Sequence, residues 1–479
     1  MTAAPHIGWR ATLFLLFAAV ALRGWDLGDP VIHVDEQWYL LVGDRMLDGA
    51  VPYLDIWDRK PIGLFLLFAG FRLMPGDGIL AYQVAALLAA AATAMIAAAA
   101  SRRIGASATG SAIAGVAYLL GLALLGGRGG QAPVFYNLPM TAAGWLTMAA
   151  FGRQSRGVVA SGALACAFAG MAIQMKYTPA VEGAFFGLAH LVALRRGGVP
   201  LVMVAGAAAL WLACGLLPTA AAIGWYAAHG QLDAFWFANF TSIALRPGYP
   251  VAEWSMRLLG IAVLLSPLAG AAWLSWRQRP ATDAALGAAA GWMGAALLGF
   301  LAIGTFFDHY ALPLLAPLAV LAGPALGRFR VMARIVLGAW LAIWAVQTAT
   351  ARNDGPGARR VAAVVERNAR GGCPYVFIGD TITYLLARTC LPTAYAFPNL
   401  LAYTTEQGAT GIDEAAEVRR ILGERPPVIV ASTRTLKIWN PGSRCALLAT
   451  LARDYRLVAS EPRQGWRTTV WLRRDLPLR

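Results

Sequence analysis

A chain of 479 residues, 58% of them hydrophobic and only 14% charged, with a mean hydropathy of +0.56, is not a soluble globule. A net charge of +15 can signal nucleic acid. Here no basic cluster has interleaved aromatics, and the arginines fall mostly at the ends of apolar runs, where flanking cations orient helices in a bilayer.

Long apolar runs recur from residue 11 to residue 350, and at about 20 residues each they are long enough to cross a bilayer. Only helices satisfy their own backbone groups in lipid, so the runs must be helical. The first, residues 11–22 between Arg10 and Arg23, has the length of a signal peptide but no clear small-residue cleavage site; with more spans following, it reads as a retained helix. Spans are expected near 9–25, 79–101, 106–126, 138–152, 158–175, 179–194, 199–220, 256–275, 284–304, 310–327 and 332–350, about eleven in all.

Between the first two spans, residues 33–61 read H-V-D-E-Q-W-Y-L-L-V-G-D-R-M-L-D-G-A-V-P-Y-L-D-I-W-D-R-K-P. Six of the 25 acids of the chain are here: Asp35, Glu36, Asp44, Asp48, Asp55 and Asp58. Charges beside a bilayer are costly and mark chemistry or transport. A helix is expected over 36–48, with Asp44 and Asp48 on its solvated face, and 61–74 is too short to span, so it should lie at the interface.

Alternate short loops hold Arg102 and Arg103; Arg153 and Arg156; Arg195 and Arg196; Arg277 and Arg279; Arg328, Arg330 and Arg334, with almost no acids. By the positive-inside rule these face the cytoplasm. The opposite loops, 26–78, 126–137, 176–178, 221–255 and 305–309, carry the acids and most aromatic and polar clusters, so the exterior face should hold the site.

From about residue 351 polar residues become frequent, and strand-like runs at 375–378, 393–397, 428–431, 457–460 and 468–472 alternate with helical ones at 381–387, 413–422 and 446–454. That alternation predicts a small α/β domain, 351–479, with a largely parallel sheet, behind a mainly α membrane domain, 1–350. An odd number of spans after a cytoplasmic N-terminus puts it outside. The turn after its first strand, I-G-D-T, is no dinucleotide-binding loop. Cys166 and Cys214 fall inside spans as small core residues. Cys373 and Cys390 each precede an expected strand; if those strands are neighbouring and parallel, the two cysteines lie within disulfide reach, and an oxidising exterior permits the bond.

Asp35-Glu36 after the first span, G-x-x-P-Y-x-D over 49–55 and the Asp58-Arg59-Lys60-Pro61 run resemble the first exterior loop of the GT-C class of membrane glycosyltransferases, in the branch of protein mannosyltransferases, aminoarabinose transferases and lipopolysaccharide galacturonosyltransferases. Lys176-Tyr177-Thr178-Pro179 and Asp308-His309-Tyr310 extend the likeness; Ile62 departs from the Lys-Pro-Pro of many relatives. The resemblance covers 1–350 well and the C-terminal domain only in type. It implies transfer of a sugar from a polyprenyl-phosphate donor, on the outer face of the membrane, to an acceptor hydroxyl, with an envelope glycolipid or glycan the first choice. The Ala- and Arg-rich composition suggests a GC-rich bacterium, hence an inner membrane with a periplasmic catalytic face.

The residues suit that reaction. The acceptor hydroxyl must lose a proton, which calls for a positioned carboxylate, and by resemblance Asp35 is that base. Glu36 points about 100° away on a helix and orients a neighbour or the acceptor. Charge growing on the leaving phosphate wants fixed cations, and the candidates are Lys60, Arg59 and Lys176, with His309 as a hydrogen-bond donor. Lys176 also reads as a snorkelling lysine. Arg128, Arg246 and Arg257 are weaker candidates, and Glu182 reads as the partner of Lys176 or another interior cation. Asp55, Asp58, Tyr53 and Tyr310 support the site or meet the acceptor. No cofactor is expected, although Asp35, Glu36, Asp55 and Asp58 could gather a divalent cation. A lipid or sugar transporter would also explain the many spans, but predicts repeats and broken helices; an envelope-assembly scaffold would not need the Asp-Glu and Lys-Pro residues.

Overall fold

A computed structural model describes residues 7–278 and 283–479; Arg279, one of the expected cytoplasmic arginines, lies outside them. In chain order the helices are α1 (Trp9–Arg23), α2 (Val34–Leu47), α3 (Ile62–Arg72), α4 (Ile79–Arg103), α5 (Ala108–Leu124), α6 (Ala132–Ala150), α7 (Ser155–Ile173), α8 (Pro179–Arg196) and α9 (Leu201–Ala228). After α9 come the short α10 (Leu232–Trp236) and α11 (Ser242–Ala244), then α12 (Val251–Arg277), α13 (Ala284–Leu301), α14 (Leu312–Arg328), α15 (Arg330–Thr350) and α16 (Gly355–Ala369). The rest of the chain forms β1 (Tyr375–Val376), α17 (Ile382–Leu386), α18 (Pro398–Ala402), α19 (Glu414–Gly423), β2 (Val428–Ser432), α20 (Pro441–Asp454), β3 (Tyr455–Arg463) and β4 (Trp466–Arg473).

Every expected span is helical, and the chain is a polytopic membrane protein. Among the described residues seven helical runs are long and apolar enough to cross a membrane: α4, α7, α9, α12, α13, the run through α14 and the run that begins with α15. The count of eleven is not reproduced on that measure. At 15 and 17 residues α1 and α5 are shorter, and α6 and α8 carry polar groups such as Asn137, Glu182 and His190.

The chain divides into two compact units. The first holds residues up to 27, 83–222 and 250–349. Largely buried within it is α14, packed against α5, α6, α12 and α13. Small residues let these backbones approach: a Cβ at Gly327 would lie 2.9 Å or less from the Ser107 hydroxyl and the Gly110 Cα, the close packing that replaces the hydrophobic drive in lipid. Beside Pro324, the Ala325 N–H donates to Ser275 Oγ of α12 at 3.0 Å, one of the side-chain substitutions that make proline tolerable in such a helix.

The second unit holds 28–82, 223–249 and 350–479. The C-terminal residues therefore share a compact body with the loop after α1, its helices α2 and α3, and the segment at and beyond the end of α9. The sheet order is β1-β2-β4-β3. Only β1 and β2 pair parallel; β2 with β4 and β3 with β4 are antiparallel. The largely parallel sheet is thus corrected to a mixed one, because β3 and β4 form a hairpin closed by Gln464-Gly465, with Gly465 at φ +80°. Residues 393–397 are not a strand. Phe397 packs on Trp38 at 5.4 Å, Tyr395 on Trp57 at 5.5 Å, and the Ala394 carbonyl accepts from the Trp57 N–H at 2.9 Å. Cys373 and Cys390 are disulfide-bonded with their Cα atoms 4.9 Å apart, although Cys390 precedes no strand. Cys445 is exposed and free. The core joins the sheet to α19 and α20 through Phe377, Val418, Ile421, Ile429 and Leu451.

Candidate active site

In the second unit, His33 is the extended residue that starts α2, and its Nδ1 accepts the Asp35 N–H at 3.5 Å. Asp35 follows in the first turn, where the helix dipole favours negative charge. Its carboxylate is 3.8 Å from His33 Nδ1, with the side chain 18% exposed. Glu36 is fully buried and accepts from the Tyr82 hydroxyl at 3.5 Å. The helical turn thus separates the two acids: Asp35 is within reach of solvent and Glu36 is inside.

Gly43 lets α2 lie directly on α3, since a Cβ there would come within 2.5 Å of the Ala69 nitrogen. The chain joining the two helices makes a tight turn. Tyr53 sits at φ +74°, a conformation that costs energy for a side-chain-bearing residue and persists only where its surroundings hold it. The hold is visible: the Tyr53 N–H donates to the Ile56 carbonyl at 2.8 Å, its hydroxyl to the Lys60 carbonyl at 2.8 Å, and its ring packs on Tyr226 and Phe235. Asp55 accepts from the Val51 N–H at 2.8 Å and serves the same turn. Asp58 accepts from the N–H groups of Arg59 and Lys60 at 2.5 and 3.2 Å, with its other oxygen 3.4 Å from Lys60 Nζ. That ammonium lies 5.0 Å from the Tyr39 ring centre and 5.9 Å from that of Phe397. Lys60 is therefore a cation in an aromatic setting with the Asp58 carboxylate beside it and its side chain 29% exposed.

Arg59 is spent differently. Its guanidinium binds Glu406, donates to Ser242 Oγ at 3.2 Å and to the Ala409 carbonyl at 3.3 Å, and lies over the Trp57 ring. Burial pulls it below the ordinary arginine value, while Glu406 opposes the shift. Such a residue is a clasp. Arg246 reaches the second oxygen of Glu406 at 2.7 Å. Asp44 ties α2 to α3 through Arg72 at 2.8 Å, so it is more than a solvated face.

In the first unit, Lys176 Nζ lies 3.8 Å from the centre of the Tyr310 ring. His309 packs edge-on against Tyr310 at 4.6 Å and stacks with Phe307, over which Arg257 lies at 4.2 Å. Cations and π-faces thus alternate along the turn that leads into α14. Glu182 accepts the Trp292 indole N–H at 2.7 Å. Arg128 forms a two-pronged pair with Asp26, one bond of 2.8 Å. The four acids considered for a cation do not gather: among the described residues no group of three or more His, Cys, Asp or Glu is placed to hold a metal ion.

No family model matches the sequence and no curated relative is similar to it in sequence. Solved structures do match. ArnT from Cupriavidus metallidurans bound to undecaprenyl phosphate aligns over 96% of this chain and 96% of its own, with a TM-score of 0.62 and 16% identity. Its apo state gives a TM-score of 0.64 at 15% identity over 96% and 97%. The chain has an ArnT-like fold. An oligosaccharyltransferase from Archaeoglobus fulgidus, in complex with Zn and sulfate, aligns over 88% of this chain and 67% of its own, with a TM-score of 0.51 and 12% identity.

Sequence reasoning missed Glu406, Tyr39 and Phe397. Tyr39 had a signal, since it lies one turn after Asp35 on the same helix. Glu406 had none: it stands 347 positions from Arg59, in a segment with no motif.

Proposed function

We propose that this protein is a membrane glycosyltransferase of the bacterial inner membrane that moves a sugar from a polyprenyl phosphate to an acceptor hydroxyl of an envelope glycolipid or glycan on the periplasmic face. The observation that carries the reading is the likeness over nearly the whole chain to ArnT with undecaprenyl phosphate bound, together with an accessible Asp35 on the first turn of α2 and Lys60 on the turn that follows it.

Asp35 takes the proton of the acceptor hydroxyl as its oxygen attacks the anomeric carbon. The bond from that carbon to the phosphate oxygen breaks, and the polyprenyl phosphate leaves with the electron pair, inverting the centre. Its charge is met by Lys60, held between Asp58 and Tyr39, a preorganised cation that stabilises the leaving group as it forms; Lys176 and His309 are the further donor-binding candidates that the resemblance implies. Asp58, Asp55 and Tyr53 hold the turn and Glu36 anchors α2. Tyr310 orients Lys176.

The test is purified protein in nanodiscs given a polyprenyl-phosphate sugar and a crude glycolipid acceptor. Polyprenyl phosphate should be released without nucleotide or ion gradient, and the envelope glycans of cells lacking the protein should lose one sugar by mass. A chelator leaves the rate intact if the lysines suffice and abolishes it if a divalent ion takes part. Gradient-driven movement of a solute, with no transfer from any donor, overturns the proposal in favour of a transporter.

A further inference from the structure

The second unit contains a buried carboxylate that the reaction does not use. Glu406 is 5% exposed and is shared by two arginines from distant parts of the chain: Arg59, next to Lys60, and Arg246, in the segment after α9. Its own setting is rigid. It ends a short 3-10 turn, Thr404–Glu406, whose first N–H donates to the Ile438 carbonyl at 2.8 Å. Just beyond, Glu414 accepts from the Gly408 N–H at 2.9 Å and from the Thr410 hydroxyl at 2.7 Å. Phe237 closes over Gly411, where φ is +82° and a Cβ would meet the ring at 2.9 Å. The carboxylate is thus fixed by its platform, and the two arginines come to it.

We propose that Glu406 is a positioning residue: by holding Arg59 it sets the Asp58-Arg59-Lys60 turn, and through the turn the place of the Lys60 ammonium. The proposal rests on the glycosyl-transfer reading for its meaning in catalysis. Three contacts transmit the hold. The Arg59 backbone N–H is bound by Asp58, the same carboxylate lies 3.4 Å from Lys60 Nζ, and the Arg59 guanidinium is pinned at Glu406, Ser242 and Ala409. Without Glu406 a buried guanidinium would face Arg246 with no carboxylate between them, and like charges left uncompensated in a buried site push apart. The turn would have to move, and a shift of about 1 Å in a catalytic group can cost about a hundredfold in rate.

The experiment compares native protein with Glu406→Gln, with Arg246→Ala, and with Glu424→Gln, which removes an exposed ion pair of the same unit. Donor and acceptor kinetics are measured, and amide hydrogen exchange is followed on the peptides covering 57–64 and 242–249. Glu406→Gln should lower kcat/KM for the donor by about tenfold or more while the acceptor KM holds, and exchange should rise at 57–64. Arg246→Ala should raise exchange at 242–249 and leave 57–64 as it was, and Glu424→Gln should change nothing. Unchanged donor kinetics and unchanged exchange at 57–64 in Glu406→Gln overturn the proposal. So does an exchange increase spread evenly over β1, β2 and α19, which makes Glu406 a residue of general stability. If Glu406→Gln fails to accumulate, Arg59→Lys, which keeps the charge and loses the planar fork, carries the same expectation. If native protein transfers no sugar from any donor, the functional reading fails, and the exchange at 57–64 alone still decides whether Glu406 sets the turn.

Discussion

Replacing Gly43 by alanine tests whether the seat of α2 on α3 matters to the site. The new methyl would lie 2.5 Å from the Ala69 nitrogen and 2.7 Å from the Phe68 carbonyl carbon, against an ordinary contact of about 3.5 Å. Both obstacles are backbone, so no side-chain rotation relieves them, and the helices must part by about 1 Å. Overpacking of this kind costs about 1–3 kcal/mol. The functional cost should be larger, because Asp35 rides on α2 and Lys60 immediately precedes α3; a displacement of this size at reacting groups is worth about a hundredfold in kcat. Ala69→Gly removes a side chain that is not the obstacle, so the double variant should be no better than Gly43→Ala alone. The assay is steady-state release of polyprenyl phosphate, beside thermal unfolding followed by tryptophan fluorescence. Turnover within about threefold of native, with unchanged stability, would refute the reasoning, as would rescue by Ala69→Gly.

Asp35→Asn should insert and fold normally and lose about a hundred- to ten-thousand-fold in transfer; a dead Glu36→Gln beside a live Asp35→Asn would exchange their roles. Lys176→Ala should weaken binding of polyprenyl phosphate, measured directly on purified protein, and unchanged affinity with unchanged turnover would return Lys176 to its contact with Tyr310 alone. Serine at both 373 and 390 opens a loop of 17 residues and should destabilise the second unit by about 3 kcal/mol, read from denaturant unfolding without reductant. Hydrogen bonds from Arg420 hold the Glu417 carboxyl below its usual value. Its stabilising effect is therefore full above the ordinary glutamate range and disappears as pH falls through the lowered value. The stability gap between native and Glu417→Gln should shrink toward zero on acidification, and a gap that widens at low pH would be the wrong sign.

The sequence was most legible where one physical rule dominated. Each apolar run became a helix because lipid leaves the backbone no alternative, and the acids of the first loop stood out because charge is scarce around them. Legibility failed where distant chain decided the outcome. Residues 393–397 have the composition of a strand, yet their aromatic groups bury against Trp38 and Trp57 in the stretch after α1, and tertiary packing of that kind overrides strand preference. The hairpin was signalled by Gln464-Gly465 between two β-rich runs, and α16 by Pro356 near its start and the apolar spacing of Ala358, Val361, Ala362 and Val365. In the site, Asp35 and Lys60 announce themselves in a compact motif, whereas the aromatic walls of Lys60 and the carboxylate that clasps Arg59 are assembled only by the fold.

The second unit is stitched from three stretches of chain, and this has a consequence for how the protein is made. Residue 82 leaves the ribosome roughly 270 residues ahead of residue 350, which at about 5–20 residues per second is a wait of tens of seconds. Throughout that interval the loop carrying Asp35 and Lys60 has neither Phe397 nor Glu406 to close on, and Trp38 and Trp57 have no aromatic partners from the C-terminal segment. A nascent chain stopped before residue 398 would hold its inserted helices and display the whole motif, yet lack a finished site. Completion of the loop that carries Asp35 and Lys60 is thus a late event, timed by synthesis of the last segment and not by insertion of the first helices.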